Sequence, residues 1–179
     1  MLLAKSNGVT LVNHIVDVLS CIKAIRRKDK RDIPEDWWLA LYYATVYHDL
    51  GKIDPEFQEI LKKPWPPQST FPHSLLSLLF FIPVEQIFPS EVMAAVAFHH
   101  WRDSFPNYLL GLGNQDMQMK AKSIIEEVQS WTDTLDKLKE ELKKRLPEFD
   151  FSSIQINHML VEYLMWNPLS PSEFHMRYS

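Results

Sequence analysis

Apolar side chains recur at three- and four-residue steps through most of this chain, the spacing that places them on one face of an α-helix. The repeat is clear between residues 10 and 27, and Thr10 stands where a helix N-cap is expected. A second helix is predicted to begin at Pro34 and to continue to about Leu50, with Gly51 as its stop. Because no segment shows a convincing strand pattern, the sequence predicts an all-α fold.

Further helices are predicted in the second half of the chain. The longest extends from Met117 to Leu146, and any break in it is expected near Thr132-Asp133. A last helix is predicted from about Ser153 to Trp166. Shorter helical segments bring the total to about seven. The 179 residues have the length of one ordinary domain, so residues 1–179 are expected to form a single domain.

Composition narrows the class of protein. Apolar residues make up 46% and charged residues 23% of the chain, which excludes a disordered tail or a fibre. The net charge of −4 gives the whole chain no general attraction for nucleic acid, so any such binding must be local. The single cysteine, Cys21, is expected in the core; it excludes an intramolecular disulfide and fits a reducing compartment. The longest apolar run is about half of a membrane span, so we expect a cytoplasmic protein without membrane contact.

Five of the seven histidines lie on or beside otherwise apolar helices: His14, His48, His73, His99 and His100. A lone histidine in an apolar core is usually a packing residue with a hydrogen-bond partner, because an unpaired buried polar group costs about 1–3 kcal/mol. Five such residues at the ends of four helices are better explained by a cation, or a close pair of cations, that binds them all.

The doublet of His48 and Asp49 gives this predicted cluster its centre. A carboxylate can bridge two cations, whereas an imidazole binds one, so an aspartate among histidines suits a site for two ions. Lys52 follows on the same side of the helix, where its ammonium would suit a phosphate oxygen, although a cation at a helix end has the same appearance. Arg102 follows the pair that ends in His100; it is expected either to contact a phosphate or to lie at the surface.

Together these residues resemble the HD-domain metal-dependent phosphohydrolases, and in particular the HD nuclease of type I CRISPR systems. The resemblance is carried by His14, HDLGK at residues 48–52, HSLLS at residues 73–77 and AVAFHH at residues 95–100. A bare His-Asp doublet is common by chance, but these stretches in this order are specific. The resemblance covers roughly residues 1–170 and implies a compact helical fold around a central metal site.

For function, the resemblance implies a hydrolase: a metal-dependent nuclease that cleaves single-stranded DNA in CRISPR interference, an antiviral defence. Its implied partners are a separate or fused CRISPR-associated helicase and the crRNA-guided surveillance complex. Two divalent ions are expected, from among Mn, Ni, Co, Mg and Fe. Asp49 and Lys52 would be catalytic, and Lys52, Ser77 and Arg102 would bind the substrate. The implied metal ligands are His14, His48, Asp49, His73, His99, His100 and Asn167.

One position departs from the family pattern. The family usually has an aspartate on its last helix, where this sequence has Asn167 within LMWNPLSP. An amide oxygen can bind a hard cation but is neutral, which would weaken one metal site or change its metal preference. Glu162 and Asp103 are the alternative carboxylates for this position. His158 and His175 match no part of the motif.

Two other functions stay open on the sequence alone. The HD signature also fits a phosphohydrolase that acts on small nucleotides, and Asn167 fits a non-catalytic interaction module that keeps the fold without full metal occupancy. Basic clusters at residues 23–31 and 137–145 are usually solvated faces, yet they are also where a single strand or a partner would bind. The aromatic residues beside the histidine pair that offer stacking surfaces are Trp101, Phe105 and Tyr108.

Overall fold

The computed structural model describes residues 1–63, 71–81, 88–100 and 115–158, and these ranges are helical without a strand. Within these ranges, one isolated antiparallel bridge pairs Leu3 with Thr10. The predicted all-α fold is therefore confirmed for the described part of the chain. Its α-helices are α1 (Leu11–Lys28), α2 (Glu35–Tyr47), α3 (Pro55–Lys62), α4 (His73–Ser77), α5 (Pro89–Phe98), α6 (Gln115–Glu127) and α7 (Thr132–Arg145).

Short 3-10 turns extend or join several of these helices. One turn, Leu50–Ile53, lies between α2 and α3, and another, Leu78–Phe80, continues α4. A third turn, Val128–Trp131, joins α6 to α7 without a gap, so the described helices number six when that pair is taken as one. This turn ends directly before Thr132, where a break in the long helix was expected.

Helix α1 begins where its capping residue predicts. The Thr10 side chain accepts a hydrogen bond from the backbone N–H of Asn13 at 3.1 Å, which satisfies one of the unpaired donors of the first turn. Cys21 is exposed, so the prediction that it lies in the core is wrong. It falls outside the helical stripe whose side chains are buried, namely Leu11, Val12, Ile15, Leu19 and Ile22.

Helix α2 is central and ends earlier than the sequence indicates. Its last residue is Tyr47, and Gly51 lies inside the following 3-10 turn, so the prediction that Gly51 stops the helix is wrong. Glycine is required at position 51 for a different physical reason. A Cβ atom at Gly51 would lie 2.0 Å from the carbonyl oxygen of His73, so only glycine lets the turn contact α4.

Packing of these elements brings the ends of four helices together. Helix α2 packs against α1 and α5, α4 packs against α5 and the turn Leu50–Ile53, and α1 also contacts α7. Large side chains such as Tyr47, Phe80 and Phe81 are completely buried between them. The Tyr47 hydroxyl donates a hydrogen bond to the carbonyl oxygen of Ser153 at 3.1 Å. This core fixes the histidine-bearing ends of the helices relative to one another.

The start of the predicted last helix is wrong. Residues 151–157 are irregular, because the Asp150 carboxylate accepts a hydrogen bond from the Ser152 N–H at 2.9 Å and forms a local turn. Ile154 and Ile156 are buried at alternate positions, which is an extended rather than a helical spacing. The remainder of that predicted helix lies outside the described residues. None of the helices in the described ranges is long and apolar enough to cross a membrane.

Candidate metal centre

The five histidines predicted as ligands come from four separate elements. His14 lies in the first turns of α1, His48 directly follows α2, and His73 is the first residue of α4. His99 and His100 directly follow α5. The structure places all five around Asp49, although they extend from position 14 to position 100 of the chain.

Asp49 lies at the centre of this cluster and is 1% exposed. Its oxygen Oδ2 lies 3.1 Å from His14 Nε2 and 3.4 Å from His48 Nε2. Its other oxygen, Oδ1, lies 3.1 Å from His73 Nε2 and 3.6 Å from His99 Nε2. The two oxygens of one carboxylate therefore face two different pairs of imidazoles.

These contacts define two groups that could each hold a metal ion. One group contains His14, His48 and Asp49, and the other contains Asp49, His73, His99 and His100. Within each group the donor atoms lie within 4.8 Å of one another. His100 joins the second group through His73, since their Nε2 atoms are 3.1 Å apart. Asp49 belongs to both groups, which is the arrangement of a carboxylate that bridges two cations.

Two of the rings have their tautomer set by the backbone. His48 Nδ1 lies 2.6 Å from the carbonyl oxygen of Thr45, and His99 Nδ1 lies 2.7 Å from the carbonyl oxygen of Val96. A carbonyl oxygen only accepts hydrogen bonds, so the hydrogen of each neutral ring is on Nδ1. The lone pair of each Nε2 then faces Asp49. Histidines that bind metals are oriented in this way by a hydrogen bond from the other ring nitrogen.

The same geometry shows that the cluster fits a cation. A lone pair on Nε2 that faces a carboxylate oxygen is repulsive unless a positive charge lies between them. Asp49 Oδ1 is also buried and makes no hydrogen bond of acceptable geometry within the described ranges. A divalent ion would satisfy both the imidazole nitrogens and this oxygen, and imidazole with carboxylate is a donor set suited to Mn, Fe, Co and Ni.

Protonation states agree with metal binding. Burial lowers the pKa of His73 to about 4, so this ring is neutral and able to bind a metal at neutral pH. For Asp49, burial alone would raise the pKa, but its polar contacts, that with His14 first, outweigh burial and hold the pKa well below its usual range. The central carboxylate is therefore charged.

Lys52 provides a positive charge inside the protein. Its side chain is buried, and its ammonium donates to Asp49 Oδ2 at 2.7 Å and to the carbonyl oxygen of Ala4 at 3.2 Å. The structure thus places Lys52 in contact with the central aspartate. Its predicted contact with a phosphate stays a prediction.

Ser77 is completely buried beside the cluster. Its hydroxyl accepts a hydrogen bond from the Gly51 N–H at 2.8 Å. The same oxygen lies 2.9 Å from the carbonyl oxygens of His48 and His73, which are acceptors for its hydrogen. Within the described ranges, every hydrogen bond of this hydroxyl is with backbone. Its predicted contact with a substrate stays a prediction.

Gln58 belongs to the surroundings of the site, and sequence reasoning missed it. It is buried on α3, and its amide oxygen accepts from the Leu3 N–H at 2.8 Å. Its amide nitrogen donates to the carbonyl oxygens of Leu3 at 2.9 Å and Lys52 at 2.6 Å. Gln58 therefore connects the N-terminal segment to the turn that carries Lys52. A glutamine follows HDLGK in the sequence, but nothing in its spacing marks it as buried.

Several predicted residues lie outside the described part of the chain. They include Arg102 and Asn167, the alternative carboxylates Asp103 and Glu162, and His175. The proposed stacking residues Trp101, Phe105 and Tyr108 also fall there. His158 is described; it is exposed and interacts with Gln129 through a contact of 2.9 Å between its Nδ1 and the glutamine amide nitrogen, away from the cluster.

In this helical protein, histidines from four helix ends surround one aspartate. This arrangement is typical of HD-type metal-binding proteins. The family model described as "Cas3, HD domain" matches residues 4–161. The chain belongs to this family, the HD nuclease domains of type I CRISPR systems, which confirms the resemblance read from the sequence. No curated protein and no solved structure matches the chain significantly.

Proposed function

We propose that this chain is a metal-dependent nuclease that cleaves single-stranded DNA with two divalent ions. The observation that carries the proposal is the position of Asp49, whose two oxygens face separate groups of histidines. Membership of the Cas3 HD family supports nuclease chemistry and a role in CRISPR defence. We also propose that the protein is cytoplasmic. It would act together with a CRISPR-associated helicase and a crRNA-guided surveillance complex.

The chain's own residues would hold the two ions. His14 and His48 would bind one ion, His73, His99 and His100 would bind the other, and Asp49 would bridge them. When bound, such ions act as Lewis acids and supply an activated water for phosphodiester hydrolysis. The ligand side chains His14, His48, His73 and His99 are 13–19% exposed, so a substrate can reach the cluster from solvent while Asp49 stays inside.

Lys52 is the proposed residue for stabilising charge that develops on the phosphate. In the structure its ammonium is bonded to Asp49 and to the Ala4 carbonyl, so this role requires it to leave one of these partners. While it stays in these contacts, Lys52 neutralises the charge of Asp49. Arg102 and Asn167 keep their proposed roles in substrate and metal binding.

The decisive test is cleavage of a single-stranded oligonucleotide by purified protein that has been stripped of metal and reloaded with Mn²⁺, Co²⁺, Ni²⁺, Fe²⁺ or Mg²⁺. His48→Ala and Asp49→Ala should each abolish cleavage, because each removes a ligand. His158→Ala is the matched control, since this histidine is exposed and outside the cluster. Full activity of both cluster variants would contradict the proposal.

The same preparation distinguishes the alternatives. Mononucleotides assayed beside the oligonucleotide would reveal a small-molecule phosphohydrolase if they alone are hydrolysed. Metal analysis addresses the non-catalytic module. Fewer than one tightly bound ion per chain, with no cleavage in any of these metals, would favour a domain that keeps the fold and not the chemistry.

A further inference from the structure

One hydroxyl group joins the backbone at both halves of the metal centre. Ser77 Oγ lies 2.9 Å from the carbonyl oxygen of His48 and 2.9 Å from the carbonyl oxygen of His73. The first of these residues directly follows α2 and the second begins α4. The oxygen also accepts a hydrogen bond from the Gly51 N–H at 2.8 Å, so this atom connects α4, which carries both Ser77 and His73, to the residues that follow α2.

We call this contact between α4 and the turn Leu50–Ile53 the junction, and Gly51 makes it possible. A Cβ atom there would lie 2.0 Å from the carbonyl oxygen of His73 and 2.7 Å from the Leu76 Cβ and the Ser77 nitrogen. Distances below 3.0 Å to backbone atoms require the backbone itself to move. The turn Leu50–Ile53 and α4 are thus in direct backbone contact, with the Ser77 hydroxyl between them.

The junction separates the two groups of metal ligands. The His48 ring faces Asp49 Oδ2, whereas the His73 ring faces Asp49 Oδ1. A carboxylate bridges two cations only when both sets of ligands stand at the right distance from it, so the spacing between these two backbones decides whether the second ion is bound well.

We propose that Ser77 is a positioning residue that sets the spacing between the two metal-binding groups. This inference rests on the proposed two-ion function. Ser77 acts through the backbones of His48 and His73 and not through contact with a substrate, since its side chain is 0% exposed. This role differs from the substrate contact that its place in HSLLS implied.

A second serine on α4, Ser74, provides a matched control for Ser77. Ser74 lies one turn before Ser77 and is 1% exposed, but its hydroxyl makes no hydrogen bond in the part of the chain that the structure describes. Ser74→Ala and Ser77→Ala remove the same atom from the same helix at equal depth. They differ in whether that atom connects backbone groups, so their comparison isolates the connection.

The experiment titrates metal-free protein with Mn²⁺ and counts the ions bound, and it records the absorption spectrum with Co²⁺ as a signature of coordination. Ser77→Ala should bind the second ion about 10- to 100-fold more weakly and change the cobalt spectrum, because groups that orient metal ligands have effects of that size. Ser74→Ala should match the wild type. If Ser77→Ala does not fold, Ser77→Cys, with a weaker hydrogen-bonding thiol, should show a smaller loss of affinity.

Wild-type binding by the folded Ser77 variant would overturn the inference and leave the proposed function intact. An equal loss in Ser74→Ala and Ser77→Ala would also overturn it, because the effect would then be a general loosening of α4. A wild-type protein that binds fewer than two ions would overturn both proposals, since no second group would exist to be positioned.

Discussion

Lys52 and Asp49 form a buried ion pair, in which the ammonium lies 2.7 Å from the carboxylate oxygen Oδ2. The same oxygen is 3.1 Å from His14 Nε2. A lysine and one of the candidate metal ligands therefore meet at the same oxygen atom of Asp49. In protein without metal, Lys52 supplies the positive charge that keeps a buried carboxylate stable.

The first prediction concerns this ion pair. Lys52→Met should lower the free energy of unfolding of metal-free protein by about 3–5 kcal/mol, because it leaves a buried charge unpaired. Lys62→Met is the control: Lys62 pairs with Glu59 at the surface, where such a pair contributes below about 1 kcal/mol. Urea unfolding in the presence of a chelator measures both. Equal effects of the two substitutions would contradict the buried pair.

The second prediction concerns pH. The pKa of His73 is about 4 in the folded protein and near 6.5 in the unfolded chain, so between these values the unfolded chain binds the extra proton. The contribution of neutral His73 to the free energy of unfolding should be fully present above pH 6.5 and should fall as the pH drops toward 4. The loss from this residue is up to about 3 kcal/mol, from the difference between the two pKa values.

Urea unfolding of metal-free protein at several pH values between 7.5 and about 4 tests this dependence. His73→Asn should flatten the curve in that window, whereas His158→Gln should leave its slope unchanged. A wild-type curve without slope there would show that His73 is not buried as the structure places it.

The third prediction concerns tautomers. In metal-free protein above pH 8, His48 and His99 should carry their hydrogen on Nδ1, because each Nδ1 lies within 2.7 Å of a backbone carbonyl oxygen. His158 should be the reverse, with Nδ1 accepting from the Gln129 amide. Side-chain ¹⁵N shifts from long-range ¹H–¹⁵N spectra separate the two forms. Hydrogen on Nε2 in His48 or His99 would argue against rings oriented for metal.

The fourth prediction concerns Gln58. Gln58→Leu should destabilise the protein by about 2–4 kcal/mol, because it leaves the buried carbonyl of Lys52 and two partly buried backbone groups of Leu3 without the partner they have in Gln58. The amide hydrogen of Leu3 should also exchange faster with solvent. Gln58→Glu keeps an acceptor for that amide and should protect it better than leucine does. Unchanged exchange in Gln58→Leu would show that the N-terminal segment is held by other contacts.

The fold and most of the cluster can be predicted from the sequence for physical reasons. Thr10 marks the start of α1 because a side-chain cap is a local interaction. Histidines in otherwise apolar helices indicate a shared ligand because burial without a partner is costly. The assembly of His14 and His100 around Asp49 follows from that requirement, even though it joins distant parts of the chain.

Other features depend on tertiary contacts that spacing does not encode. The sequence predicts Gly51 as a helix stop, but glycine is required there because any side chain would clash with the carbonyl oxygen of His73. Ser77 and Lys52 read as substrate contacts, yet Ser77 contacts backbone and Lys52 contacts both Asp49 and backbone. Cys21 reads as a core residue because its type is usually buried, although it lies outside the apolar stripe of α1.

The candidate metal ligands come from segments as far apart as α1 and the end of α5. A bound ion would therefore act as a cross-link that closes long loops of chain, and it would oppose the local opening that exposes helices to proteases. Chelation should then shorten the lifetime of this protein during proteolysis.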